Sequence, residues 1–570
     1  MIKLRPIQIP FIVSLGIAGF LLVGCTGLRK EIGPSPLPVE ESVVLPPEFE
    51  DVPIVDIHTH TFNARYLPLR NIALGKRDAH FLLQFVPDPV AEAIAYLISS
   101  RTPLFDMDRG QPEALGLKQI SGEQLLQAAA DECDVSYERL ANDPAVKALQ
   151  RLIPVLEGES SELRTLSREE AKEQRKQDAK LTRSLQNMGF EVQESSLRTF
   201  LRALMARDDR QRSIYTELYG KQVELTVSHY LDLGPTYNQR PDLDADSLFL
   251  DFETQQLKRA SYFQRQPKSG TIFFAGFNPY RDHWPSDKGT KALDLIKRAV
   301  FDPTIGAYGV KFYPPSGYRP TGNDIPRRPC TLFTRHPRSQ WDARYKGITD
   351  AELDRRIEEF LRWCEVNDVP VFAHCNTGEF EARKDYGVEM SDPVWWKAYL
   401  EKCSHENHGG GPCNLRLALG HAGGSDFWFD RGKHQDWGNT VVELCETYPN
   451  VYCEIGIFGE IAESGGRDAF VAVVSKLFKR SCGDYPFSEK VMYGTDFFMP
   501  SGASAKAYLG GFQKAFLDPG LRHHYVDFFL GNALRFLNAA ERMDGQGDLP
   551  PLPESSRLVL ERLLQVVDEP

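Results

Sequence analysis

Short apolar runs and longer amphipathic stretches alternate along most of the chain. Ile54, Val55 and Ile57 form the first apolar run. From about residue 222 the alternation becomes regular, with strands predicted at 223–233, 271–277, 307–313, 369–374, 415–421, 451–455 and 490–496. Between them, apolar residues three and four apart predict helices at 247–264, 288–301, 392–402, 439–448 and 468–478. Thr349-Asp-Ala-Glu352 has the form of a capping box and opens a further helix reaching Asn367. Two more helices, at about 503–517 and 523–539, follow the last strand. A strand–helix repeat implies parallel strands, and eight of them predict an α/β fold closed as a (β/α)8 TIM barrel. An open doubly wound sheet is the alternative, but no G-x-G-x-x-G turn follows the first strand.

The pattern between the first two strands is different. Residues 64–220 carry helical periodicity at 88–100, 121–133, 144–156 and 193–219, with a highly charged stretch at 164–186. A large, mainly helical insertion after the first strand is therefore expected. The remaining boundaries are a first barrel strand within 51–63, the rest of the barrel over 221–545 and a C-terminal tail over 546–570.

The N-terminus reads as a targeting segment. Lys3 and Arg5 precede a run from Ile9 to Gly24 that is almost wholly apolar and short for a spanning helix. Leu22-Val-Gly-Cys25 resembles the lipobox of bacterial lipoproteins. That resemblance implies a signal peptide over 1–24, acylation of Cys25, attachment to a membrane through the acylated N-terminus, and a place in the bacterial cell envelope. Residues 25–50, rich in Gly, Pro, Ser and Glu, would be a flexible tether.

Formal net charge is −12. Loss of residues 1–24 removes Lys3 and Arg5 and no acid, which argues against nucleic acid as a partner. There are ten cysteines. They form no Cys-x-x-Cys knot, and Cys403 with Cys413 across a Gly-rich loop is a candidate disulfide.

The chemistry gathers at the strand ends. His58 and His60 stand two apart at the end of the first strand, where alternate residues share a face. Lys311, His374, His421 and Asp496 lie at the carboxyl ends of later strands, and Glu454 lies near another. In a barrel of this kind those ends converge on one mouth. Imidazoles and a carboxylate can hold a divalent metal, and such a site acidifies water near neutral pH.

The ordered set Val55-Asp-Ile-His-Thr-His60, Gly309-Val-Lys-Phe-Tyr313, Phe372-Ala-His374, Leu419-Gly-His421, Tyr493-Gly-Thr-Asp496 and Gly531-Asn-Ala533 resembles the amidohydrolase superfamily. Within it, the resemblance is to the branch of aminocarboxymuconate-semialdehyde decarboxylase and related metal-dependent hydrolases. It covers about 52–62 and 222–539 and leaves out the insertion. It implies one zinc held by His58, His60, His374 and Asp496, with His421 and Asp496 as the catalytic residues. Lys311 would bind substrate or, if carboxylated, bridge two metals. Arg65, His229, Arg281 and Arg319 are weaker candidates for a substrate carboxylate, and Cys375 is expected to point away from the metal. Trp395, Trp396, Trp428 and Trp437 are expected in the core before a pocket wall.

The implied activity is hydrolysis of a C–N or C–O bond (amide, ester or lactone) of a small organic acid-like substrate. Non-oxidative decarboxylation or hydration at the same site is an alternative. A non-enzymatic envelope lipoprotein with a structural metal is another. The sequence leaves the oligomeric state open.

Overall fold

The computed structural model describes residues 43–69, 88–112, 122–133, 135–143, 146–147, 150, 194–237, 248–267, 269–283, 290–324, 348–377, 386–432, 434–480, 483–499, 503–543 and 549–568. Expectations for the signal segment 1–24, for Cys25, for most of the tether and for 164–186 lie outside these residues.

Tracts that are apolar on both faces make the strands. In 271–277, Ile272 and Phe274 join an inner cluster while Phe273, Ala275 and Phe277 pack outward. Phe277 stacks on Phe360 at 3.8 Å between ring centroids. Near-continuous apolar runs are what a parallel sheet covered by helices requires. Eight strands follow in chain order: β1 (Ile54–Thr59), β2 (Val223–His229), β3 (Thr271–Phe277), β4 (Gly309–Phe312), β5 (Val371–His374), β6 (Leu417–Gly420), β7 (Val451–Ile455) and β8 (Val491–Tyr493). They form one sheet in that order, every pairing parallel. Thr59 bridges Phe497, and Asp496 N donates to His58 O at 2.8 Å, so the last strand returns to the first. The result is a nearly closed (β/α)8 barrel.

The covering helices follow the predicted pattern with shifted ends. The helix Asp350–Val366 begins at Thr349, whose side chain accepts from Glu352 N at 3.2 Å. It buries Leu353, Ile357, Phe360, Leu361 and Cys364 against the strands. Burying such side chains contributes about 1.5–3 kcal/mol each. The helix Pro393–His408 starts on Asp392 with proline in its first turn and ends at Gly409, whose φ of 59° is left-handed.

One irregularity in β1 matters for the site. Asp56 pairs with Thr226 and Thr59 with Ser228, so β1 takes three steps where β2 takes two. Ile57 and His58 therefore both turn inward. Ile57 joins the inner apolar cluster, and the His58 ring lies 4.6 Å from that of Phe372 in the same cluster. Asp56 turns the other way and ties three segments together. It accepts from His58 N (3.1 Å), Thr495 N (3.1 Å), Thr495 Oγ1 (2.6 Å) and Tyr215 Oη (2.6 Å).

Between β1 and β2 the described residues are mostly helical, at Asp88–Arg101, Gly122–Glu132, Tyr137–Asn142, Glu194–Met205 and Gln211–Tyr219. A hairpin of two-residue strands, Phe105–Asp106 and Gln111–Pro112, lies among them. This region is bound to the barrel by Tyr215 on Asp56 and by Asn63 Nδ2, which donates to Ala206 O at 3.0 Å.

Residues 546–570, expected as a tail, contain the helix Glu554–Asp568. Its Leu560 and Leu563 are fully buried in the inner cluster with Val55, Ile57 and Phe536. It covers the end of the barrel opposite the strand carboxyl ends. Among the described residues no helix is long and apolar enough to cross a membrane.

Candidate metal centre

His58 Nδ1 lies 3.1 Å from Glu454 Oε2, which also accepts from His421 N at 3.0 Å. A carboxylate oxygen in that position assigns the His58 proton to Nδ1. His60 Nδ1 lies 2.8 Å from His229 O, a pure acceptor, so that nitrogen carries the His60 proton. Both neutral rings then turn a bare Nε2 toward the same place. His58 Nε2 is 3.2 Å and His60 Nε2 3.1 Å from Asp496 Oδ1. Lone pairs meeting at such distances repel one another; the Lys311 ammonium, 3.0 Å from His58 Nε2, offsets part of this, and a metal cation among the three donors would offset the rest. The three donor atoms all lie within 4.8 Å of one another, in a buried site. This donor set fits a divalent metal, and the Nδ1 partners are the outer-shell supports that metal-ligating histidines use.

Burial keeps His58 uncharged, holding its pKa well below the usual imidazole range, with the charge of Lys311 acting the same way. For Asp496 burial alone would raise the pKa, but its close contacts with the histidines and the positive charge of Lys311 outweigh burial and hold the carboxylate down. Burial pushes Glu454 well above the usual carboxylate range, against the pull of His421 N. A cation on His58 would favour the charged form of Glu454.

His421 also reaches this centre. Its ring lies 5.0 Å from that of His58 and 4.8 Å from that of His374. Its Nδ1 makes a long contact of 3.5 Å with Gly456 O, leaving Nε2 as the basic nitrogen. Burial brings its pKa down to about 4, with Asp496 opposing and Lys311 reinforcing the shift. His421 and Ala422 have φ of 61° and 42°, and Asp496 has 55°. Non-glycine residues rarely adopt these values, and such strain gathers at functional sites. Trp428 Nε1 donates to Ala422 O at 3.0 Å and helps to hold the turn.

His374 ends β5 and is buried, with its ring 5.1 Å from Tyr313. It faces His421 across the mouth and stands outside the tight His58–His60–Asp496 group. Lys311 Nζ is buried 3.0 Å from His58 Nε2 and 4.4 Å from the Phe372 ring centroid.

The weaker candidates separate clearly. His229 is a buried support, with Nε2 2.8 Å from Ile57 O and its ring 4.3 Å from Phe372. Arg281 is buried and holds Asp232 through contacts of 2.6 and 2.8 Å. Arg65 Nε donates to Leu248 O at 2.5 Å. Arg319 stacks on Trp395 with its guanidinium carbon 3.6 Å from the ring centroid. Cys375 packs in the outer cluster, away from the metal donors, and burial pushes its thiol up. Trp396, Trp428 and Trp437 are core residues.

Sequence reasoning missed the roles of Asp56 and Glu454. Asp56 is a charged residue inside an apolar strand, which was the available signal. Glu454 sits between two glycines of the mouth. A Cβ at Gly494 or Gly456 would lie 2.1 Å from its Oε1.

Residues 332–539 match the family model described as Amidohydrolase. No curated protein matches the chain. Similar solved structures include a probable 2-pyrone-4,6-dicarboxylic acid hydrolase from Acinetobacter baumannii with citric acid bound. It is 11% identical, the match covers 55% of this chain and 84% of that one, and the TM-score is 0.30. Another is 5-carboxyvanillate decarboxylase from Novosphingobium aromaticivorans, complexed with manganese and 4-hydroxy-3-methoxy-5-nitrobenzoic acid. It is 14% identical over 63% of this chain and 91% of that one, with a TM-score of 0.35. The residues matched by the family model include His374, His421 and Asp496.

Proposed function

We propose that this protein is a metal-dependent hydrolase that cleaves a C–N or C–O bond in a small organic acid. One observation carries the reading: His58, His60 and Asp496 turn three lone pairs on one buried point, with His421 beside it. One zinc is the expected ion, and His374 completes its ligand set. The ion would supply Lewis-acid polarisation of a carbonyl and acidification of water. Glu454 and the His229 carbonyl hold the rings of His58 and His60 in the tautomers that can bind it. Asp496 stays ionised. His421, neutral above about pH 4, takes a proton from the attacking water and returns it to the leaving group. Lys311 holds an anionic group of the substrate.

The test is metal content together with turnover of an amide, ester and lactone panel. Purified protein that binds no divalent metal and needs none for turnover would sink the proposal. Carbon dioxide release without an oxidant, and no hydrolysis, would move the chemistry to decarboxylation on the same residues. Acylated Cys25 anchors the enzyme in the bacterial envelope. Cys25→Ser should move it from the membrane to the soluble fraction, and unchanged membrane association would refute the anchor.

A further inference from the structure

A second donor cluster lies at the other end of the barrel. Glu365 is in the last turn of the helix before β5. Cys403 and His408 are in the last turns of the helix before β6, and Cys413 is in the loop leading into β6. All four precede their strands, so they lie at the strand N-terminal ends, away from His374 and His421. Cys403 and Cys413 are joined in a disulfide, as their spacing suggested. The disulfide does not account for what surrounds it. Glu365 Oε1 lies 3.4 Å from both sulfurs, 2.7 Å from His408 Nε2 and 2.9 Å from Asn414 N. The Glu365 side chain is only 6% exposed. A disulfide has no proton to offer a carboxylate, so neither sulfur contact is a hydrogen bond in the oxidised form. One carboxylate oxygen, one imidazole nitrogen and two sulfurs instead converge within 4.8 Å of one another.

We propose that this cluster is a redox-gated site for a soft divalent metal such as zinc, with Cys403, Cys413, His408 and Glu365 as ligands. Two sulfurs, one imidazole and one carboxylate make a closed tetrahedral set suited to zinc. A dithiol reductant supplies two electrons and two protons and leaves as its own disulfide. The Cys403–Cys413 bond breaks to give two thiols, and metal binding then releases both thiol protons while the proton on His408 Nε2 passes through solvent to Nδ1. With Zn–S near 2.3 Å, the sulfurs must separate to roughly 3.8 Å. The intervening loop allows this. Gly409 and Gly410 have φ of 59° and 96°, and a Cβ on either would meet nothing within 4 Å. Under oxidation the disulfide ties the end of the helix Pro393–His408 to its own following loop, and under reduction the metal would also tie in the end of the helix that carries Glu365.

The test is cobalt(II) and zinc(II) titration of the full protein after dithiol reduction and after oxidation, with metal counted by mass spectrometry. The expected result is one additional equivalent in the reduced form, with a sulfur-to-cobalt charge-transfer band that the oxidised form lacks. His408→Ala and Glu365→Gln, which can still form the disulfide, should weaken the extra site by roughly 100-fold or more. Cys403→Ser should abolish the band and leave the first metal equivalent in place. Equal stoichiometry in the two redox forms, or a band unaffected by His408→Ala and Glu365→Gln, would overturn the proposal and leave a plain disulfide clip. If Cys403→Ser fails to fold, the two other variants still decide, because they keep the cross-link.

Discussion

Glu454→Gln separates metal binding from fold stability. Glu454 is fully buried, accepts from His421 N and fixes the proton of His58 on Nδ1. Glutamine has nearly the same shape and can still accept from both, but it removes the negative charge. Loss of an outer-shell partner costs about 10–100-fold in metal affinity, or about 1.4–2.7 kcal/mol. The metal-free fold should respond in the opposite sense. Burial raises the Glu454 pKa because the charged form is poorly solvated there. Because burial already favours the neutral form of Glu454 in the metal-free protein, a glutamine of similar shape removes little charge there and should not destabilise the fold. The expected outcome is weaker zinc binding in a chelator-competition titration, with urea denaturation of the metal-stripped variant at least as stable as the parent. Unchanged zinc affinity, or a metal-free variant destabilised by several kcal/mol, would refute this account of the carboxylate.

Further outcomes follow from the same geometry. His421→Gln should lower kcat by about 10²–10⁴ with metal content unchanged, and normal turnover in that variant would remove His421 from the reaction. Because burial holds the imidazole near a pKa of about 4, the acid limb of kcat should fall near that pH, and a limb near the ordinary imidazole value of 6.5 would contradict the assignment. Leu560→Ala should cost about 2–5 kcal/mol in urea denaturation, because the C-terminal helix buries this side chain in the inner barrel cluster. A cost below about 0.5 kcal/mol would mean that the helix does not close the barrel.

The βα alternation fixed the number and order of strands, because apolar periodicity is a local property that chain neighbours reveal. The positions of His58, His60, His374, His421 and Asp496 at strand ends were readable for the same reason. Cys403 and Cys413 were readable as a pair, since they are near in sequence. Glu365 and His408 were not read with them: Glu365 joins across 38 residues, and His408 stood at the start of a Gly-rich loop past the predicted helix. The tail became a closing helix because its value lies in Leu560 meeting Val55 and Phe536, a contact no local pattern announces.

The sequence by itself determined an eight-stranded parallel barrel and which residues stand at its mouth. Alternation and spacing are set by backbone geometry, which acts over a few residues. Only the tertiary structure decided which of those side chains meet. The extra residue in β1 turned Ile57 and His58 inward together, a shift that strict alternation does not foresee. Glu454 and the His229 carbonyl fixed the ring protons and so made lone pairs of the facing nitrogens. The tight group closed on His58, His60 and Asp496, while His374 stood across the mouth beside His421. These outcomes depend on distances between strands far apart in the chain, and packing sets those distances.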